Sequence, residues 1–381
     1  MMLPIGWKKV RLGDLTKVSS GSTPLRSNKA FYENGNIPWV KTLDLNNGKI
    51  EKTQECITEL AAKKCKPYPS GTVLVAMYGG FNQIGRTGLL TFPASINQAL
   101  AALQFGKDIY PEYVLHYLNA NVANWRSCAA SSRKDPNITS HDVEKFKIVL
   151  PPLEEQKKIA ATLSVWDSAI EKMEKLIEAK ESQKKSLIKK LIEKQEEKAN
   201  KIKVGNVTID KNKWKHERIG NVLKIGHGRD YKGLSLGNVP VFGSGGYMTS
   251  VDNFLHDGET VCIGRKGTID KPFYYKGKIW TVDTLFYTYD FKNVIPKFIY
   301  YVFCSIPWKI KNEAGGVPSL TSKIVENVEF YKPSLPEQQI IVDVLSNADE
   351  ELSLLKQQLE NYKKQKQGLM QKLLTGQWRV K

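Results

Sequence analysis

The 381-residue chain is short of most features that announce chemistry. It has five cysteines and five histidines, with no C-x-x-C pair and no grouping of the two residue types. A structural zinc site needs four ligands at short paired spacings. Metal binding is therefore not expected, and Cys56, Cys65, Cys128, Cys262 and Cys304 read mainly as reduced core thiols. No apolar run approaches the roughly eighteen residues of a membrane span. The opening MMLPIGWKKVRLGDL has no apolar stretch of a secretory signal, so a cytoplasmic chain without membrane contact is expected. In GSGGYM, Met248 stands where G-x-G-x-x-G needs its last glycine, and no G-x-x-x-x-G-K-[ST] occurs. Both common phosphate cradles are thereby excluded. The methyltransferase pattern F-x-G-x-G is broken, because Phe242 is followed by Gly243-Ser244, and an N/D-P-P-Y/F tetrad is missing. Neither a Ser-His-Asp nor a paired-carboxylate arrangement stands out. The chain reads as non-catalytic.

What it has in excess is positive charge. The net charge is +18 and the isoelectric point about 9.4. A basic excess of this size points to a polyanion, most often nucleic acid.

It also has an internal repeat. PLEEQKKIAATLSVWDSAI (Pro152 onward) shares Leu, Glu-Gln, Ile, Leu-Ser and Asp with SLPEQQIIVDVLSNADEEL (Ser334 onward), at an offset of 182 residues. That register runs without a gap from PNITSHDVEKF against PSLTSKIVENV into the lysine-rich ends of both segments. A second match, WKKVRLGDLTKVSSG (Trp7–Gly21) against WKHERIGNVLKIGHG (Trp214–Gly228), has an offset of 207 residues. The first half thus carries about 25 extra residues between Gly21 and Pro136. Ends repeat and middles diverge, as in one frame holding two different reading heads.

The repeated segments have a heptad seam. Ile159, Leu163, Trp166, Ile170, Met173, Ile177, Lys180, Lys184, Leu187 and Leu191 advance by alternating steps of four and three. So do Ile341, Leu345, Ala348, Leu352, Leu355, Leu359, Tyr362, Lys366, Leu369 and Leu373. Ten consecutive a/d positions in each copy argue for two helices packed on each other rather than one amphipathic face on a domain. Pro152 and Pro336 suit a first helical turn, and Glu154, Glu155 and Glu337 suit its positive end. Lys184 and Lys366 occupy matched seam positions, where polar residues fix register. Each helix starts where a globular region ends, so the pair is expected to be antiparallel. Residues 152–200 hold 11 lysines against 10 acids, and residues 334–374 hold 5 against 6. The coil is neutral, and the whole +18 lies outside it.

The expected fold class is α+β, with two globular α/β heads separated by an antiparallel coiled coil of two long repeated helices, a pseudo-twofold dumbbell. The boundaries are 1–150 for the first head, 151–200 for the first helix, 201–333 for the second head, and 334–381 for the second helix and tail. In the heads, GTVLVAMYGGFNQIGRTGLL and GETVCIGRKGTIDKPFYY each read as strand, glycine loop, strand. IPWVKTLDL corresponds loosely to VPVFGSGGYM, and PEYVLHYLN and PKFIYYVFC read as short helices. Glycine loops allow close approach to a DNA backbone. Beside them Arg26, Lys41, Arg86, Arg229, Lys232, Arg265 and Lys266 are candidate phosphate or guanine contacts. Tyr78, Asn82, Gln83, Tyr231, Ser244 and Tyr247 are candidate polar readers.

The openings WKKVRLGDLTKVSSGSTP and WKHERIGNVLKIGHGRDYKG, the helix starts LPPLEEQKKI and SLPEQQII, and the ending GLMQKLLTGQWRV together resemble the specificity subunit of a Type I restriction–modification enzyme, over essentially the whole chain. That resemblance implies two target recognition domains, each reading one half of a split double-stranded DNA target. It implies a coil that sets the spacer and docks two methyltransferase subunits, with Trp166 and the exposed helix faces as candidate contacts. It implies no cofactor in this chain. S-adenosylmethionine, ATP and magnesium would belong to methyltransferase and restriction subunits. A coiled-coil adaptor with incidental charge, and a solitary enzyme such as a nuclease, are the competing readings from the residues alone.

Overall fold

The computed structural model describes residues 3–80, 82–128, 137–194, 200–205, 207–312 and 314–380. Pro136, where the longer repeat begins, lies outside them. The chain divides into two compact units, Met1–Met173 with Gln358–Lys381, and Glu174–Gln357. Two 40-residue helices, Leu153–Ile192 and Leu335–Leu374, pass from one unit into the other, so each unit holds one head and a stretch of both helices.

The first head is built on short strands. A five-stranded sheet runs in the order Val18–Ser20, Leu100–Leu103, Val73–Ala76, Thr87–Leu90, Gly48–Ile50. Val73–Ala76 is apolar at every position and buried on both faces, because the sheet is covered on each side. It pairs antiparallel with Thr87–Leu90 across the glycine loop, as its sequence predicts. A three-stranded sheet holds Glu55–Ile57, Ile37–Val40 and Ser95–Ile96. The helix Pro111–Ala120 opens on proline, whose missing N–H costs nothing there, and buries Tyr113, Val114 and Leu118.

In the second unit six strands lie in the order Lys224–His227, Leu285–Tyr289, His256–Gly264, Phe273–Thr281, Leu236–Gly243, Gly246–Val251. Its short helix is Pro296–Ser305. The loose match of IPWV to VPVF becomes an equivalence, because each segment makes a parallel pairing at the same place. Trp39 registers with Ser95 and Val40 with Ile96; Val241 registers with Trp280 and Phe242 with Thr281. Much of the first head's extra length lies between Val40 and Ser95, where it adds the strands Gly48–Ile50 and Glu55–Ile57 and the helix Glu59–Ala62.

The repeated helix opening ties each head to its long helix. Gln156 and Gln338 are both buried. The Gln156 amide oxygen accepts from Tyr110 N at 2.8 Å, and its nitrogen donates to the Pro151 carbonyl at 2.9 Å. Gln338 repeats both contacts with Ile295 N at 2.8 Å and the Pro333 carbonyl at 3.0 Å. Tyr110 and Ile295 precede the two short helices, so each glutamine satisfies a backbone group that would otherwise be buried unpaired. The preceding glutamates diverge. Glu337 caps its own helix through Ser334, whereas Glu155 is buried and accepts from Trp7 Nε1 at 3.0 Å and from Arg379 Nε and Nη2 at 2.6 and 2.8 Å. The C-terminal tail is thus fastened within the first unit. In the second unit the buried Lys211 donates to the Lys190 and Glu193 carbonyls, closing the end of the first helix. Burial lowers that ammonium to a pKa of about 8.

Within each unit the two helices run antiparallel and share one polar junction. In the first, Lys366 donates to Asp167, His116 Nε2 lies 3.3 Å from Ser164 Oγ, and His116 Nδ1 lies 3.7 Å from Asp167. In the second, Lys184 pairs with Asp349, and Tyr301 donates to Asp349 at 2.7 Å and lies 3.3 Å from Ser346 Oγ. Lys180–Glu351 at 2.6 Å and Lys356–Glu181 at 2.5 Å extend the second pairing. Trp166 packs edge-to-face on Tyr362 at 5.9 Å in the first unit. Every seam position is buried or half-buried, while Val165 and Leu354 just off it are 69% and 59% exposed.

His116 differs from its counterpart Tyr301 by titrating. Burial lowers its pKa from 6.5 to about 4 despite the attraction of Asp167, with Lys366 opposing the charge as well. An unfolded histidine takes up a proton below about 6.5, and the folded one only near 4. The first unit should therefore lose stability as pH falls through that window, by about 3 kcal/mol in full. His116→Tyr should remove this part of the acid sensitivity. Denaturation midpoints at pH 7 and 5 that move equally in both proteins would refute the assignment.

Candidate nucleic-acid interface

The second head holds a cavity of about 780 Å³ where four loops meet. Its walls come from residues 230–232, 243–248 and 282–284, and the 265–267 loop adjoins them. Gly228 presses so close that a Cβ there would sit 1.9 Å from the Val282 carbonyl oxygen. Arg229 N then donates to the Thr281 carbonyl at 2.8 Å, and its own carbonyl accepts from Trp280 Nε1 at 2.9 Å. Arg265 N and Lys266 N both donate to the Thr284 carbonyl, at 2.8 and 3.2 Å. Val282 N donates to the Phe242 carbonyl at 2.9 Å. The loops are stitched to one another through backbone atoms, so the cleft is pre-shaped.

The first head repeats this stitching. A Cβ on Gly21 would lie 2.0 Å from the Ile96 carbonyl oxygen, Ser22 N donates to that oxygen at 3.1 Å, and Asn97 N donates to the Val40 carbonyl at 3.0 Å. Gly21 and Gly228 are the last matched residues of the shared opening, which explains why the match stops there. Beyond them each head builds its own wall.

Tyr231, Lys232, Ser244 and Tyr247 line the cavity, with Tyr247 63% exposed at the tip of the hairpin formed by Leu236–Gly243 and Gly246–Val251. Arg229 and Lys266 are exposed beside it. Arg265 is half-buried, its Nη1 donating to the Asp283 carbonyl at 3.2 Å. The first-head candidates are less uniform. Arg26 and Lys41 share the single carboxylate of Glu55, at 2.8 Å for Arg26. The Lys41 and Arg26 hydrogen bonds hold Glu55 below the ordinary carboxylate range. The Arg26 guanidinium also lies over Tyr32 and Trp39, at 4.7 and 4.9 Å from the ring centres. These two cations therefore present about one net charge between them. Tyr78 and Asn82 are exposed, Arg86 is half-buried, and the Gln83 side-chain oxygen is buried without a hydrogen bond among the described residues. Among the described residues no cluster of histidine, cysteine, aspartate and glutamate could hold a metal ion, and no helix is long and apolar enough to cross a membrane.

Asp230 and Asp283 also line the cavity. They escaped the sequence reading because that search followed positive charge. The signal was present: aligning Gly21 with Gly228 sets Thr23 opposite Asp230.

A family model described as the Type I restriction modification DNA specificity domain matches the chain twice, at residues 4–181 and 189–363. The chain belongs to this family. The two matches account for nearly the whole chain, and each takes in one head. The Type I restriction enzyme MjaIX specificity subunit of Methanocaldococcus jannaschii is 29% identical over 236 residues, covering 59% of this chain and 54% of that one. The chain thus matches about half the length of that relative. The MjaVIII specificity subunit of the same organism is 23% identical over a 424-residue alignment covering 100% of this chain and 95% of that one. In fold, the chain is similar to the Type I restriction–modification S subunit from M. genitalium, with a TM-score of 0.63 at 18% identity and 98% of both chains covered. Within the specificity family, the resemblance carried by the two openings and two helix starts thus extends to full-length relatives and to the fold.

Because Gly228 has no room for a Cβ, Gly228→Ala should destabilise the second unit by roughly 2–4 kcal/mol. A chemical-denaturation midpoint equal to that of the unmodified chain would show that the loops part without cost.

Proposed function

We propose that the chain is the non-catalytic, DNA-reading subunit of a Type I restriction–modification assembly, with each head reading one half of a bipartite double-stranded target. The observation that carries this reading is the repetition of one pre-shaped cleft frame in two heads whose wall residues differ. A repeated frame with different walls is what a target of two unlike halves requires. Residues 1–150 and 201–333 serve as the reading heads, and residues 151–200 and 334–381 as the spacer and its tail. The seam residues hold the two helices in register, so the length of the pair fixes the distance between half-sites. The exposed helix faces dock two methyltransferase subunits that bring S-adenosylmethionine. A restriction subunit, where present, brings ATP and magnesium. Trp166 contributes from within the seam rather than as a free docking side chain, since its ring already packs on Tyr362.

Removing one heptad from each helix at matched seam positions shortens the pair by about 10 Å, the rise of about three base pairs. In the complex with methyltransferase subunits, methylation mapping should then return the same two half-sites with a changed spacer. Methylation at unrelated sites by the unmodified complex would defeat the reading, as would DNA binding insensitive to salt, because phosphate contacts release counterions.

A further inference from the structure

Resting on that reading, we propose that Asp283 and Arg265 together read one G·C base pair in the half-site of the second head. The two residues meet at the junction of two stitched loops. Arg265 Nη1 donates to the Asp283 backbone carbonyl at 3.2 Å, which fixes the guanidinium at the Asp283 position of the loop. That contact uses one of five guanidinium N–H groups. Asp283 is exposed and lines the cavity, as does Asp230, whose Oδ1 accepts from Lys232 N at 3.2 Å. Carboxylates repel phosphate, so this wall does not suit the DNA backbone. A carboxylate suits the exocyclic amine of cytosine, and an arginine fork suits O6 and N7 of guanine. Those groups lie side by side on the major-groove edge of one G·C pair.

The equivalent wall of the first head supports the assignment. There the parallel strand Ser95–Ile96 leads into Gln98 as Phe273–Thr281 leads into Asp283, and Thr23 stands where the second head has Asp230. Thr23 Oγ1 donates to the Gln98 amide oxygen, orienting it. One position therefore carries an acceptor pair in one head and a threonine-oriented amide in the other, on frames whose backbone contacts agree. Chemistry that varies on a fixed frame marks a reading position rather than a structural one.

The test uses the chain with its methyltransferase subunits on a plasmid library randomised across the wild-type motif, read by methylation mapping. Asp283→Ala and Arg265→Ala should both relax the same single position, a G·C pair, by roughly 10- to 100-fold in discrimination. Both should leave the other half-site intact, which also reports that the complex has assembled. Asp283→Leu is close in size and has no acceptor, and answers the question if the alanine variant fails to assemble. An unchanged motif in these variants overturns the proposal while the bipartite reading stands. So does relaxation of an A·T position, or a gain in binding that is uniform over all sequences, which would show that Asp283 merely repels phosphate. A wild-type complex with no defined motif overturns both.

Discussion

In each unit the antiparallel helix pair depends on one lysine–aspartate contact. A lysine at a heptad seam has lost much of its water; Lys184 and Lys366 have only 18% and 17% of their side chains exposed. An ammonium withdrawn that far is destabilising unless a carboxylate meets it. Asp349 and Asp167 supply that carboxylate, each from the opposite helix. Sliding one helix past the other by a heptad would separate Lys184 from Asp349 and Lys366 from Asp167. The apolar seam supplies association, and the ion pair selects the register. The same aspartate also receives the short helix of its head, through His116 or Tyr301. One carboxylate thus fixes helix to helix and head to helix together.

This explains why Ser164-x-x-Asp167 and Ser346-x-x-Asp349 repeat while residues between them do not. Serine and aspartate three positions apart share one helix face. That face is turned to the head's short helix, and the seam lysine reaches it from the partner helix. The tolerated change is on the head's side: histidine in one case and tyrosine in the other present a polar group to the same Ser–Asp pair. The two solutions are not equivalent in acid. Tyrosine stays neutral across the range where histidine would have to charge, so only the first junction carries a proton-linked cost.

The parts of the fold legible in sequence were those set by periodicity or by continuous apolar runs. The a/d steps located both long helices, and apolar runs around glycine loops located Val73–Ala76 with Thr87–Leu90 and His256–Gly264 with Phe273–Thr281. The Glu-Gln pairs were visible as helix openings, but the burial of Gln156 and Gln338 on the backbone ahead of a distant short helix was not. No local pattern encodes a contact across more than forty residues. The seam lysines were legible as polar, and their partners were not, because Asp167 and Asp349 lie off the heptad positions. In the heads, charge was a poor guide. Arg26 and Lys41 looked like free cations until Glu55, brought to them by the pairing of Ile37–Val40 with Glu55–Ile57, took up one charge between them.

The boundary between what repeats and what diverges has a steric cause. Gly21 and Gly228 each sit against a carbonyl about 2 Å from where a Cβ would be. Any other residue would push the following loop off the end of the parallel strand, and with it every backbone contact that shapes the cleft. Up to that glycine the chain is constrained by the frame. Immediately after it the side chains Thr23 and Asp230 face a wall whose backbone is already held by other bonds. Substitutions there alter hydrogen-bonding chemistry while the stitched backbone bonds stay in place, although Asp230 also accepts from Lys232 N at 3.2 Å. A reading head built this way can change what it recognises by changing side chains alone, because the pairing of strands, the glutamine clip and the ion-paired seam are all satisfied elsewhere.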